Sequence, residues 1–282
     1  MGKKIKIKKF SGAIVDFDLD KLIKSLRNSK ANEELVQKIA FEVQRKLFDG
    51  ITTKQIYKMA FKMLKSQTKP SASRYKLKKA IMELGPSGFP FEKYVGKILS
   101  FEGFKTEIGV LVQGHCVTHE VDVVAINDKK HHMVECKYHN RQGKVNDVKI
   151  PLYIQSRFKD IEKQCKKDEV DEYNFHQGWI YTNTRFTLDA IQYANCAGLK
   201  LVSWDYPDNN GLKDKINNYH LFPITTLTTL TKNDKIKLLE KGVVLCREIF
   251  DNPNILMEAG IDRSKHHKIL KNTKELIVND LP

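Results

Sequence analysis

Residues 115–138, HCVTHEVDVVAINDKKHHMVECKY, constrain the fold more than any other stretch of the chain. Two apolar runs, VDVVAI and MVEC, flank the polar NDKK, a spacing that predicts a β-hairpin. Side chains alternate across a strand, so Glu120 and Asp122 share one face, and Glu135 and Lys137 share one face of the second strand. Val134 and Cys136 point the other way, as a buried layer requires. If the two polar faces coincide, two or three carboxylates and one ammonium meet beside an otherwise apolar sheet.

Asp122 and Glu135 offer hard oxygen ligands of the kind Mg²⁺ prefers, alongside water and substrate phosphate. An ion held there would polarise a phosphate oxygen and lower the pKa of a bound water. Lys137 could orient that water or stabilise charge growing on the phosphate. The other reading of the same residues is a surface hairpin with charged outer positions.

The segments around the hairpin carry a resemblance. FPFEKYVGKILSFEGF, HEVDVVA, VECKYH, DVKIPLYIQSRFKDI and GWIYTNTRFTLDAIQYANCAGLKLVSWDYP follow one another over about residues 87–208. In that order they resemble the PD-(D/E)xK restriction-endonuclease family of the Mrr-like kind. The resemblance implies an α/β core with a mixed sheet and places catalytic roles on Asp122, Glu135 and Lys137. It also implies Mg²⁺ or Mn²⁺ on Asp122 and Glu135, and Glu92 of the opening helix as an accessory carboxylate. Val121 stands where the motif's name has proline.

The chain has 282 residues and a net charge of +15, unevenly placed. Residues 1–86 hold 21 Lys plus Arg against 8 Asp plus Glu; the remainder holds 28 against 26. A basic field of that kind attracts polyphosphates and nucleic acid alike. No apolar run approaches the ~20 residues of a membrane span, and the start, MGKKIKIKKF, lacks a signal-peptide pattern. Five scattered cysteines, with no CxxC, predict reduced thiols and a cytoplasmic setting.

Residues 3–85 predict a small hairpin and then helices. KIKIKKF and AIVDF alternate around SG. Asp18 or Asp20 is placed to cap a first helix, Asn32 a second running to Gly50, and Thr52 or Thr53 a third. Pro70 and Ser71 open a fourth, closed by Gly85. IKIKKFSGAIVDFDLDKLIKSL, ITTKQIYKMAF and SRYKLKKAI resemble the ATP-cone, a regulatory nucleotide-binding domain. The resemblance places ATP or dATP at Ile7, Lys9, Lys21, Thr53 and Tyr57, with Lys78 or Lys79 near a phosphate. No GxxxxGK[ST] string occurs, so sensing of the nucleotide is expected in place of motor-like hydrolysis.

Gly85–Gly88 reads as a linker. Arg157 could bind a phosphate or pair with Asp160. His115, Cys116, His119, His131 and His132 lack a fourth ligand at zinc-site spacing. Residues 166–177 read as a surface turn, and 209–218 as linker-like. The rest predicts short helices broken at Gly242, Pro253 and Gly260, with a loose likeness to helix-hairpin-helix turns; a cap on the nuclease core or a dimer element is the expected role.

These observations predict an α/β chain in three parts: an ATP-cone over 1–86, an endonuclease domain over 87–208 and a small helical region over 209–282. The expected function is a Mg²⁺-dependent DNA endonuclease regulated by ATP or dATP, with no membrane association and with a homo-oligomer where both strands are cut. The rival is a non-catalytic, nucleotide-responsive DNA-binding regulator. RNA cleavage is a third reading, since the metal chemistry barely distinguishes the sugar.

Overall fold

The computed structural model describes residues 5–9, 11–128, 130–141, 143–167 and 175–278. The chain forms two compact units. One comprises residues 1–80, 223–237 and 246–282; the other comprises 81–222 and 238–245.

The first unit begins with β1 (Lys6–Lys8), β2 (Ile14–Asp16), α1 (Leu19–Arg27), α2 (Glu33–Arg45), β3 (Ile51–Thr52), α3 (Thr53–Gln67), α4 (Lys69–Tyr75) and α5 (Leu77–Ile81). β1 is the middle strand, antiparallel to β2 and parallel to β3. The turn between β1 and β2 places Gly12 at φ 89°, where a Cβ is disfavoured. Each of the first three helices starts on a side-chain cap. Asp18 accepts from Lys21 N, Asn32 from Leu35 N, and Thr52 from Gln55 N while Gln55 returns the bond. Such caps contribute about 1 kcal/mol each. Val36, Ile39 and Val43 of α2 are fully buried, each worth about 1.5–3 kcal/mol relative to exposure. They join Leu26, Ile51, Ile56 and Leu64 in one core.

Two boundaries differ from the sequence expectation. The second helix stops at Arg45, five residues short of Gly50, because Leu47 and Ile51 turn back onto the core. The helix expected to run on to Gly85 is broken at Lys76, whose buried ammonium donates to Thr225 O at 2.9 Å.

The second unit carries α6 (Phe89–Phe101), β4 (Lys105–Gln113), β5 (Thr118–Asn127), β6 (Lys130–Lys137), β7 (Val145–Asn146), α7 (Lys149–Cys165), β8 (Phe175–Thr182), β9 (Arg185–Phe186), α8 (Leu188–Cys196), β10 (Lys200–Val202) and α9 (Leu212–Asn218). Its five-stranded mixed sheet has the order β10-β8-β6-β5-β4. β6, β8 and β10 are parallel, and β4, β5 and β6 antiparallel. α7 and α8 supply the crossovers that parallel neighbours require. Val124, Met133 and Ile180 pack with Ile154, Phe158 and Ile161 of α7. On the other side α6 lies against β4 and β5. Gly96 permits that approach, since a Cβ there would meet Ile108 Cδ1 at 2.6 Å.

Residues 209–218, expected to be a linker, form α9 instead. Leu212 and Ile216 are buried, and the Lys215 ammonium, only 4% exposed, is paired with Glu102 of the same unit. A polar composition misled the reading because the lysine is neutralised by a distant partner. The expected surface turn falls partly on residues 168–174, outside the described residues.

After a 3-10 turn at Ile224–Thr226 come α10 (Lys232–Glu240), α11 (Cys246–Asp251), α12 (Ile255–Glu258) and α13 (Arg263–Ile277). This region was expected to cap the nuclease core or to serve as a dimer element. Most of it belongs to the first unit, where α13 packs on α4. Arg74 donates to Leu276 O at 3.3 Å, and Thr225 Oγ1 to Ala80 O at 2.7 Å. Among the described residues no helix is long and apolar enough to cross a membrane. All five cysteines are free thiols.

Candidate active site

The hairpin forms as the sequence predicts, with β5 antiparallel to β6 and Val123 opposite Val134. One step further, Asp122 comes opposite Glu135, so their side chains share a face. It is the face that Val124 and Met133 bury against α7. The charged pair therefore sits where the apolar layer ends. Asp122 Oδ2 accepts a 2.6 Å hydrogen bond from Cys136 N, taking a backbone donor that the ladder leaves over.

Glu135 is 4% exposed. Its Oε1 lies 2.5 Å from Lys137 Nζ and its Oε2 2.5 Å from an Arg157 guanidinium nitrogen. Arg157 also donates to the backbone carbonyl of Glu120 and lies over the Tyr153 ring. Of the two roles open to Arg157, phosphate binding or pairing with Asp160, the Asp160 pair is not formed. Asp160 instead accepts from Cys116 N at 2.9 Å and Val117 N at 3.3 Å, and contacts His119 Nε2 at 2.8 Å. Arg157 and Asp160 lie three apart on α7, but each finds a strand partner that fixes it better.

Glu92 stands in the first turn of α6, and its carboxylate makes no hydrogen bond or ion pair among the described residues. Burial raises its pKa to about 7, and the negative charges of Asp122, Glu120 and Glu135 add to that against the pull of Lys137. Asp122 is raised to about 6, by burial first and by Glu135 second. The two carboxyls that resist ionisation are thus the two with the least cationic support.

That imbalance is what a divalent cation relieves. Asp122 and Glu135 match the one or two carboxylates that Mg²⁺ takes while keeping water and phosphate for its other positions. Among the described residues no group of three or more Asp, Glu, His or Cys side chains is arranged to hold a metal ion. Arg157 competes with any cation for Glu135 Oε2.

Sequence reasoning missed Tyr138. Its hydroxyl donates to Met82 O at 2.7 Å and Gly85 O at 3.1 Å, and its ring meets Phe91 at 5.6 Å. It ties the segment leading into α6, and so Glu92, to the strand end that carries Lys137. Its place directly after the ExK triplet was the only available signal. Beyond it, Asn146 Nδ2 donates to Thr182, Thr184 and Arg185 O, and its Oδ1 contacts His139 Nε2. The loop after β6 is therefore clamped to the end of β8. His131 and His132 sit at the opposite end of β6, where His132 stacks on Trp179 at 4.3 Å and burial pulls its pKa down to about 4.

In the first unit, Ile7 and Lys9 lie at the end of β1, beside β3 and the start of α3 that holds Thr53. Lys9 is exposed, while the Lys21 ammonium is 2.9 Å from Asp18 Oδ2. The Tyr57 ring is stacked on Tyr75 at 5.2 Å and Phe61 at 5.9 Å. Lys78 is half-buried and Lys79 exposed on α5.

Three family models match the chain. The ATP cone domain matches residues 5–82, the restriction endonuclease domain of the Mrr kind matches 85–206, and the AF1548-like C-terminal domain matches 222–277. An uncharacterized protein of Archaeoglobus fulgidus is 35% identical over 184 residues, 65% of this chain and 99% of that relative. The chain belongs to the AF1548-like family. The crystal structure of AF1548, a protein of unknown function, is 34% identical, with a TM-score of 0.58 over 69% of this chain and 100% of its own. Can2 from Sulfobacillus thermosulfidooxidans, solved with cyclic tetra-adenylate, is 14% identical, with a TM-score of 0.35 over 71% of this chain and 54% of its own. That distance carries nothing about ligand or activity. The AF1548-like chain is thus a nuclease-type α/β protein with an ATP-cone in front.

Proposed function

We propose that the chain is a metal-dependent endodeoxyribonuclease whose activity responds to ATP or dATP at its ATP-cone. What supports the reading is Glu135 held 2.5 Å from Lys137 Nζ, with the charges of Asp122 and Glu92 close enough to act on one another. Asp122 and Glu135 would hold Mg²⁺ or Mn²⁺, with Glu92 as the accessory carboxylate. When bound, the cation supplies Lewis-acid polarisation of the phosphate and a lowered pKa for attacking water. Lys137 donates to that water or to the phosphate oxygen on which charge grows. Arg157 holds the Glu135 carboxylate in plane until substrate arrives. Tyr138 keeps Glu92 in register with Lys137.

One observation favours the non-catalytic reading. Both oxygens of Glu135 are already occupied by cations of the chain itself. With Glu135 locked in this way the chain would bind DNA without cutting it. Nicking of supercoiled plasmid in Mg²⁺ against EDTA decides between them, with an RNA substrate in parallel. Metal-dependent nicking supports the nuclease; tight DNA binding with no nicking supports the regulator.

For the cone, Ile7, Lys9, Lys21, Thr53 and Tyr57 are the proposed nucleotide contacts. The ammonium groups suit a triphosphate. Tyr57 would present only an edge to the base while it remains stacked on Tyr75.

A further inference from the structure

α13 is amphipathic. Ile269, Asn272, Thr273, Leu276 and Ile277 are buried, while Arg263, His267, Lys268, Lys271 and Lys274 are exposed along the other side. Between this helix and α4 lies a cleft of about 380 Å³. Its cations are Lys69, Lys268 and Lys271, none of which forms an ion pair among the described residues. Glu275 is its one acid, and Thr68 adds a hydroxyl.

Asn272 gives the cleft a second, independent mark. It lines the cleft at 1% exposure. Its Oδ1 accepts from Thr229 Oγ1 at 3.4 Å, while its Nδ2 has no hydrogen-bond partner. A buried amide donor without an acceptor is unfavourable unless something fills its place. The wall of the cleft therefore carries an unsatisfied polar residue beside three uncommitted ammonium groups. A neighbouring cleft of about 410 Å³ shares Gln67 and Thr68 and adds Lys30 and Lys38.

We propose that the cleft between α4 and α13 is an oxyanion site for a phosphate ester, separate from the nucleotide contacts proposed for the cone. The volume suits a phosphate with part of its nucleoside, within the ordinary range of ligand pockets. The phosphate belongs either to a free nucleotide or to the backbone of a nucleic acid. Lysines bind it as point charges. The assignment does not depend on the nuclease reading, because binding is measured without cleavage.

The test uses the full chain carrying Lys9→Ala and Lys21→Ala, so that the two ammonium groups proposed to hold nucleotide at the cone are removed. Calorimetry with inorganic pyrophosphate reads the cleft directly. Lys268→Glu with Lys271→Glu should weaken binding by about tenfold or more, while Arg263→Glu with Lys274→Glu, on the same helix but outside the cleft, should weaken it by less than about threefold. Both pairs are exposed, so the fold is kept, which circular dichroism checks. An absence of pyrophosphate binding with the cleft intact overturns the proposal, and so does an equal loss in the two double variants. Binding of a duplex of about 20 base pairs in EDTA identifies the source. A fall of about 2 in the slope of log K against log salt for the cleft variant indicates backbone phosphate, each lysine contributing about 0.9. An unchanged slope with weakened pyrophosphate indicates a free nucleotide.

Discussion

The guanidinium of Arg157 lies 2.5 Å from Glu135 Oε2, joining the middle of α7 to the centre of the sheet across 22 residues of sequence. Glu135 is nearly fully buried, so the pair acts as structure as well as chemistry. We expect Arg157→Met to destabilise the chain by about 1–3 kcal/mol in urea unfolding, since Lys137 remains to support the carboxylate. Adding Glu135→Gln should recover part of that loss, because no uncompensated charge is then left behind. A double variant as unstable as the sum of the two single ones would mean the pair is not coupled.

Asp122→Asn and Lys137→Ala should each reduce metal-dependent cleavage by a factor on the order of 10² or more, the scale found when one electrostatic partner of a reacting group is lost. Folding should survive, because Val134 and Cys136 on the buried side are untouched. Initial rates on plasmid, with circular dichroism as the control, check both halves. Wild-type rates in either variant would place the chemistry elsewhere.

The raised carboxyls set a pH dependence. Glu92 is raised to about 7 and Asp122 to about 6, above ordinary carboxylate values. A group raised on folding adds stability that is complete below its unfolded value and lost as pH climbs through the folded value. The metal-free protein should therefore lose stability between about pH 5 and pH 8. Mg²⁺ binds the ionised forms, so its gain in Tm should be larger at pH 8 than at pH 6. Asp122→Asn should flatten that difference in a thermal-shift titration.

Asp160 shows the opposite sign. Its hydrogen bond with His119 comes first, and donors from Cys116 and Val117 add to it, holding its carboxyl well below the usual range. A depressed group contributes above its unfolded value and loses that contribution as pH falls through the folded one. We expect Asp160→Asn to lower Tm at pH 7, and the gap from wild type to close as the pH is taken below about 4. A gap that stays constant down to acid pH would assign the effect to shape alone.

Nucleotide should act through subunit association. A site of this type cuts one strand, so a double-strand cut needs two subunits. A coupling of about 1–3 kcal/mol changes populations about 5- to 150-fold. Analytical ultracentrifugation of the full chain with and without ATP should show a shifted mass distribution, and Lys9→Ala with Lys21→Ala should remove the shift. An unchanged distribution together with unchanged cleavage would leave two independent modules.

Short-range chemistry in the sequence decided a good deal. The alternation around Asp122 and Glu135 gives the hairpin, because a strand's period of two is a local property. Asp18, Asn32 and Thr52 cap helices because a cap reaches only two or three residues ahead. The motif segments likewise marked the two domain families.

Other features were decided only by the tertiary structure, where partners far apart in the chain meet. Lys215 turns a polar stretch into a packed helix because Glu102 waits 113 residues earlier. Arg157 serves Glu135 and not Asp160, since the sheet brings one carboxylate to it and the hairpin turn takes the other. Tyr57 is stacked on Tyr75, and α13 packs on α4. None of these has a period or a spacing to read. Each is settled by which charge or apolar face loses most by staying in water, and that depends on the whole fold.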